Sequence, residues 1–231
     1  VTRWLAYLAL APLAVGLLKH TCAQAPPWPD PVAHHVIPYE SAGLTHGPLV
    51  GRPGADAVRI WVRTNEPRPF EVIHAPQLPL GRDLVGVAGE TSAAADNTGY
   101  IELEGLSPHT RYYYGVRLGG ELADLRMAST DPWPSFRTLP DATACADAAG
   151  NPAGLFNVCF MVGHCACQDP FVGGGQYESP PAYATIHRFH GEEIQFGIVN
   201  GDMIYGEVRD GTREGLRANY RLYCERGRSF S

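Results

Sequence analysis

Alternation of apolar and polar positions dominates the middle of the chain. In "AVRIWVRT" (57–64), Val58, Ile60 and Val62 alternate with Arg59, Trp61 and Arg63, the period-two pattern of a half-buried strand. "PFEVIHA" (69–75), "GYIELEGL" (99–106), "RYYYGVRLGG" (111–120) and "SFRTLP" (135–140) predict further strands, with turn residues between them at short intervals. Short, evenly spaced strands of this kind predict a β-sandwich over 43–140. "LSPHTRY" sharpens the reading, because Leu106, Pro108, Thr110 and Tyr112 fall at alternate positions. A tyrosine opening a strand after such a turn predicts the tyrosine corner of immunoglobulin-like sandwiches, its hydroxyl bonded back to the backbone. The competing reading is an ordinary strand with three tyrosines. His74 and His109 read as solvated strand-face or loop residues.

The pattern changes after Pro140. "DATACADAAGNPAG" (141–154) reads as a loop, and "LFNVCFMV" (155–162) is a nearly continuous apolar run, as in a parallel strand buried on both faces. A polar, Gly-rich loop (163–179) follows. "PPAYATIHRF" (180–189) then has the leading proline and apolar spacing of a short helix. "EIQFGIV" (193–199) predicts a second buried strand. The unit is β-loop-α-β, so its strands are expected to be parallel and joined by a right-handed crossover. Parallel strands end on one edge, where ligands bind in open α/β sheets. That edge receives "GHCAC" (163–167) and "NGDMIY" (200–205), so Cys165, Asp202 and Tyr205 are expected to converge.

Composition narrows the class. The 231 residues suffice for one or two domains with a sizeable core, and 18% charged with 45% hydrophobic residues excludes both a disordered chain and a membrane bundle. A formal charge of -6 argues against a nucleic-acid partner, which favours a basic face. The first 25 residues have the order of a secretory signal: Arg3, an apolar core from Trp4 to Leu18, then Ala23 and Ala25. That core is shorter than the roughly 20 residues of a membrane span, so the expectation is a cleaved signal and a secreted or periplasmic protein, with an uncleaved anchor as the alternative. No stable membrane span is expected. Cys22 lacks a lipobox, and no twin-arginine pair is present. Residues 26–42 read as a Pro-rich linker. Beyond Cys22 the cysteines are Cys145, Cys159, Cys165, Cys167 and Cys224. Export favours oxidised pairs, and the odd number leaves at least one thiol free or metal-bound.

Thiolate, carboxylate and phenolate are all anionic donors, and clustered they repel one another unless a cation joins them. Asp202 follows Gly201, which lets the backbone turn sharply, and its two oxygens can bridge two metals. These residues resemble the PhoD-like alkaline phosphatase/phosphodiesterase group of the calcineurin-like metallophosphoesterases. "THGPLVGRPGADAVRIWVRT" (45–64), "GLSPHTRYYYGVRL" and "SFRTLP" are similar to that family's N-terminal sandwich. "NVCFMVGHCA" is similar to its first catalytic strand, "GDMIYGE" to its Gly-Asp-x-x-Tyr motif, and "LRANYRLYCERGR" to the helical stretch that follows.

The resemblance covers residues 43–231 and implies a mixed fold. An immunoglobulin/fibronectin-III-like β-sandwich (43–140) would precede an incomplete α/β metallophosphoesterase catalytic domain (141–231). It implies a centre holding iron and calcium, or other divalent cations. Cys165 would bind iron, Asp202 would bridge the ions as the catalytic carboxylate, and Tyr205 would give a phenolate to the iron. Cys167 is the fallback thiolate, and His164, standing where the family usually has Ser, is a possible ligand. The substrate would be a phosphate mono- or diester, and the oligomeric state stays open. No histidine follows His190, and "ANY" (218–220) does not replace the family's Asn-His-Asp/Glu motif. The chain is therefore expected to be an incomplete fragment with little or no phosphatase activity alone, an expectation refuted by turnover of p-nitrophenyl phosphate with iron and calcium. Disulfide bonding or burial of Cys165 and Cys167, a plain turn role for Asp202 and packing for Tyr205 remain open. The rival functions are a secreted β-sandwich binding or adhesion module with a vestigial α/β tail, and a redox pair in "CAC".

Overall fold

The computed structural model describes residues 43–123, 125, 132–164, 186, 189–201 and 212–225. All lie within one compact unit, His34–Ser231. Among the described residues, ten strands and two α-helices occur in the order β1 (Leu44–Gly51), β2 (Val58–Thr64), β3 (Pro69–Ala75), β4 (Val87–Glu90), β5 (Thr98–Leu103), β6 (Arg111–Leu118), β7 (Glu121–Leu122), β8 (Ser135–Arg137), α1 (Ala142–Cys145), β9 (Phe160–Gly163), β10 (Phe196–Val199) and α2 (Arg213–Glu225), with a short 3-10 turn at Ala93–Ala95.

The first eight strands form two antiparallel sheets, one ordered β1-β2-β5 and the other β4-β3-β6-β7, with β8 also pairing β6. One core fills the space between them. Val58, Ile60 and Val62 from β2 meet Phe70 and Val72 from β3 and Tyr114 and Val116 from β6, all nearly inaccessible to solvent. The alternation in β2 is therefore a true inside–outside code, and each such side chain stabilises the fold by about 1.5–3 kcal/mol. The expected β-sandwich is present, its strands running from Leu44 to Arg137. Its tyrosine corner is present too: Ser107 N–H donates to the Tyr112 hydroxyl at 2.9 Å. A buried Thr64–Thr91 pair (2.7 Å) ties the end of β2 to the end of β4, and Thr64 also donates to the Glu66 carbonyl, so both hydroxyls are satisfied.

The expectations beyond Pro140 need revision. The segment read as a loop contains the one-turn helix α1, whose first turn is capped by Asp141 accepting from Ala144 N–H at 2.6 Å. The apolar run 155–162 is a strand only from Phe160, and the second strand begins at Phe196. β9 and β10 do pair in parallel, Phe160 opposite Phe196 through Gly163 opposite Val199. They are not buried on both faces: Val162 is 57% and Ile198 43% exposed. An apolar run is buried only where a second layer lies on it, and neither α1 nor α2 covers this pair among the described residues. Most of the helix expected at 180–189 lies outside the described residues, although Ile186, Phe189 and His190 have helical backbone. His74 also departs from expectation, because its Nδ1 is buried rather than solvated.

Candidate functional site

The expected site is an edge where two strands stop together. Asn200 N–H donates to the Gly163 carbonyl at 2.8 Å, extending the β9–β10 ladder by one bond beyond the last paired residues. His164, which follows β9, and Asn200-Gly201, which follow β10, therefore stand at the same end of the sheet. Gly201 has φ of +87°, and a Cβ built there would meet no atom within 4 Å. Glycine is needed at this position for the left-handed backbone, not for space. That is the sharp turn expected from the Gly-Asp sequence.

Of the five candidate ligands, His164 alone is described. It is exposed at the end of β9. Cys165, Cys167, Asp202 and Tyr205 lie outside the described residues. Among the described residues no group of three or more His, Cys, Asp or Glu side chains is placed to hold a metal. The residues immediately before Cys165 and Asp202 in sequence, His164 and Gly201, do share the sheet edge. Two described cysteines outside this edge, Cys145 and Cys159, carry free thiols.

Sequence reasoning passed over a second feature. A cavity of about 350 Å³ opens between the β6–β8 strands and the start of β10. Arg52, Arg111 and Arg137 line it, together with Glu192. Arg111 holds Glu192 through both ends of its guanidinium, with Nη1–Oε1 at 3.1 Å, and that bond is the main reason its proton is held more tightly than usual. The only local signal was arginine at single positions of two strands 26 residues apart; their register reveals the pair.

Comparison with known proteins bears on the fold. A family model described as a domain of unknown function (DUF7800) matches residues 41–135, the sandwich. No curated protein matches the chain. A solved structure of PhoD superposes with a TM-score of 0.55 over 80% of this chain and 35% of that one, at 19% identity. A fibronectin type III domain from the human KIAA0970 protein covers 55% of this chain and 91% of its own, with a TM-score of 0.26 and 16% identity. The chain thus spans about a third of the PhoD structure that it resembles. Among the described residues, no helix is long and apolar enough to cross a membrane. The chain is similar in fold to part of PhoD, with an antiparallel β-sandwich followed by a short parallel strand pair.

Proposed function

We propose that the chain works within an exported, metal-dependent phosphoester hydrolase of the PhoD-like alkaline phosphatase/phosphodiesterase kind. Residues 43–140 form its N-terminal sandwich, and residues 141–231 contribute part of its catalytic domain. One observation carries the reading: β9 and β10 run parallel in register and stop together, so the residues preceding Cys165 and Asp202 share one edge. The fold likeness to PhoD over 80% of the chain supports it. Iron and calcium, or other divalent cations, would be held by the Cys165 thiolate, the bridging Asp202 carboxylate and the Tyr205 phenolate, with His164 and Cys167 as further donors. When bound, such cations supply Lewis acidity, polarising a phosphoryl oxygen and activating water near neutral pH. The chain's own part is to position three anionic donors. Gly201 turns the backbone at φ +87° immediately before Asp202. The substrate is a phosphate mono- or diester, and residues 1–25 direct export.

Metal content tests this directly. Loaded with iron and calcium and then desalted, the chain is expected to retain iron near one equivalent and to show a visible phenolate-to-iron charge-transfer band. Tyr205→Phe should remove the band, and Cys165→Ala and Asp202→Asn should lower retention of metal. A wild-type chain that keeps neither metal overturns the hydrolase reading and leaves the secreted binding module.

A further inference from the structure

We propose that the cavity between the β6–β8 strands and the start of β10 binds a small phosphate-bearing anion, held by Arg111 and Arg137 with Arg52 at its rim. The pairing of β6 with β8 sets Arg111 directly opposite Arg137. Like charges facing each other across an antiparallel ladder destabilise it unless an anion lies between them. Arg111 has Glu192. The Arg137 side chain has no hydrogen-bond or ion-pair partner among the described residues, although it is only partly exposed. Arg52 shares the single carboxylate of Glu102 with Arg59, at 2.8 and 2.6 Å. Three guanidinium groups thus line the cavity with a single carboxylate, Glu192, in a chain whose formal charge is -6.

Shape agrees with charge. A volume of about 350 Å³ falls at the small end of ligand pockets. Buried Val58 and Phe136 form part of its wall, so an anion there is partly shielded from water and its bonds to arginine are strengthened. The planar fork of arginine matches the oxygens of a phosphoryl group. Glu192 is the built-in competitor. Its side chain is 79% exposed, so it can leave Arg111 for solvent when a ligand arrives. The cavity includes Phe196 and Gly197, at the end of β10 opposite Val199, so this site does not depend on the metal edge proposed above.

The test uses the full 231-residue chain, stripped of metal by a chelator and desalted, so that binding at a metal centre cannot contribute. Calorimetric titration with phenyl phosphate is expected to give saturable binding, with benzoate at least about tenfold weaker. Arg137→Gln should weaken phenyl phosphate binding by about tenfold, the loss of one charge-assisted bond, with an unchanged circular dichroism spectrum. Glu192→Gln, at an exposed position, should tighten it severalfold, because the competing carboxylate is gone. The opposite signs of these variants separate a ligand site from a structural role. The proposal is overturned by absence of saturable binding, by wild-type affinity in Arg137→Gln, by unchanged or weaker binding in Glu192→Gln, or by benzoate binding as well as phenyl phosphate.

Discussion

Nδ1 of His74 is buried on β3 with no hydrogen-bond partner among the described residues, and the ring lies edge-on to Tyr112 at 5.6 Å. Desolvation lowers its pKa below the ordinary 6.5. In the unfolded chain the same imidazole accepts a proton near 6.5, so below that pH the unfolded state binds more protons than the folded one. Stability contributed by neutral His74 is therefore complete above about pH 7 and is lost as pH falls toward the folded-state value. The melting temperature is expected to drop between pH 7 and pH 5, and His74→Phe, which keeps a ring beside Tyr112, should flatten that slope. Equal slopes in the two proteins would show that His74 carries none of the pH dependence. Tyr112 and His74 touch, yet only one was legible in the sequence. The tyrosine corner is local, since the hydroxyl and Ser107 are five residues apart and the Pro-containing turn between them is visible as text. Burial of His74 comes from β6, which pairs with β3 across a long stretch of sequence.

Periodicity reports which face of a strand is apolar, but not whether anything lies on that face. β2 and β10 make the contrast: Ile60 is fully buried between two sheets, whereas Ile198 is 43% exposed. Ile60 was expected on the buried face of an alternating, half-buried strand, and Ile198 in a buried strand of a parallel pair. Ile60→Ala is expected to cost about 2–5 kcal/mol in denaturant unfolding, and Ile198→Ala less than about 1 kcal/mol. Equal costs would mean that the face of β10 is packed after all. The strands missed in the sequence have equally physical reasons. β1 carries Pro48 within the second of two register irregularities, on the edge of its sheet, a pattern that breaks alternation while leaving the strand intact. β4 is short and contains Gly89, where a Cβ would come within 2.5 Å of both Phe70 Cζ and Ile101 Cγ2. That glycine reads as a turn in one dimension and is a packing requirement in three.

The longest-range order described in the molecule is the anchoring of α2 on the sandwich. α2 packs against β1, and Nε2 of buried His46 donates to the Arg221 carbonyl at 3.1 Å. The Arg221 guanidinium reaches Asp96 at 2.6 Å, in the turn before β5, and also pairs with Glu214, while Arg217 donates to the Ala94 carbonyl at 2.7 Å. Sequence resemblance pointed to a helical stretch here, but not to its partner, because Arg221 and Asp96 are 125 residues apart. A single exposed ion pair contributes little, about 0–1 kcal/mol. Here Arg221 is partly buried, and Asp96 is already fixed by Arg63, whose Nε donates to the Asp96 carbonyl at 3.0 Å, so less side-chain freedom is lost in forming the pair. Arg221→Ala removes both carboxylate contacts but leaves the backbone carbonyl that His46 uses. The helix should then open more often without unfolding the sandwich. Amide hydrogen exchange in 213–225 is expected to accelerate severalfold, while amides of β2 and β6 keep their wild-type protection. If protection falls equally in both sheets, α2 is part of the sandwich's cooperative unit and not an element clipped to its edge; if no amide in α2 changes, the carboxylate contacts of Arg221 add nothing to the anchoring that His46 and Arg217 supply.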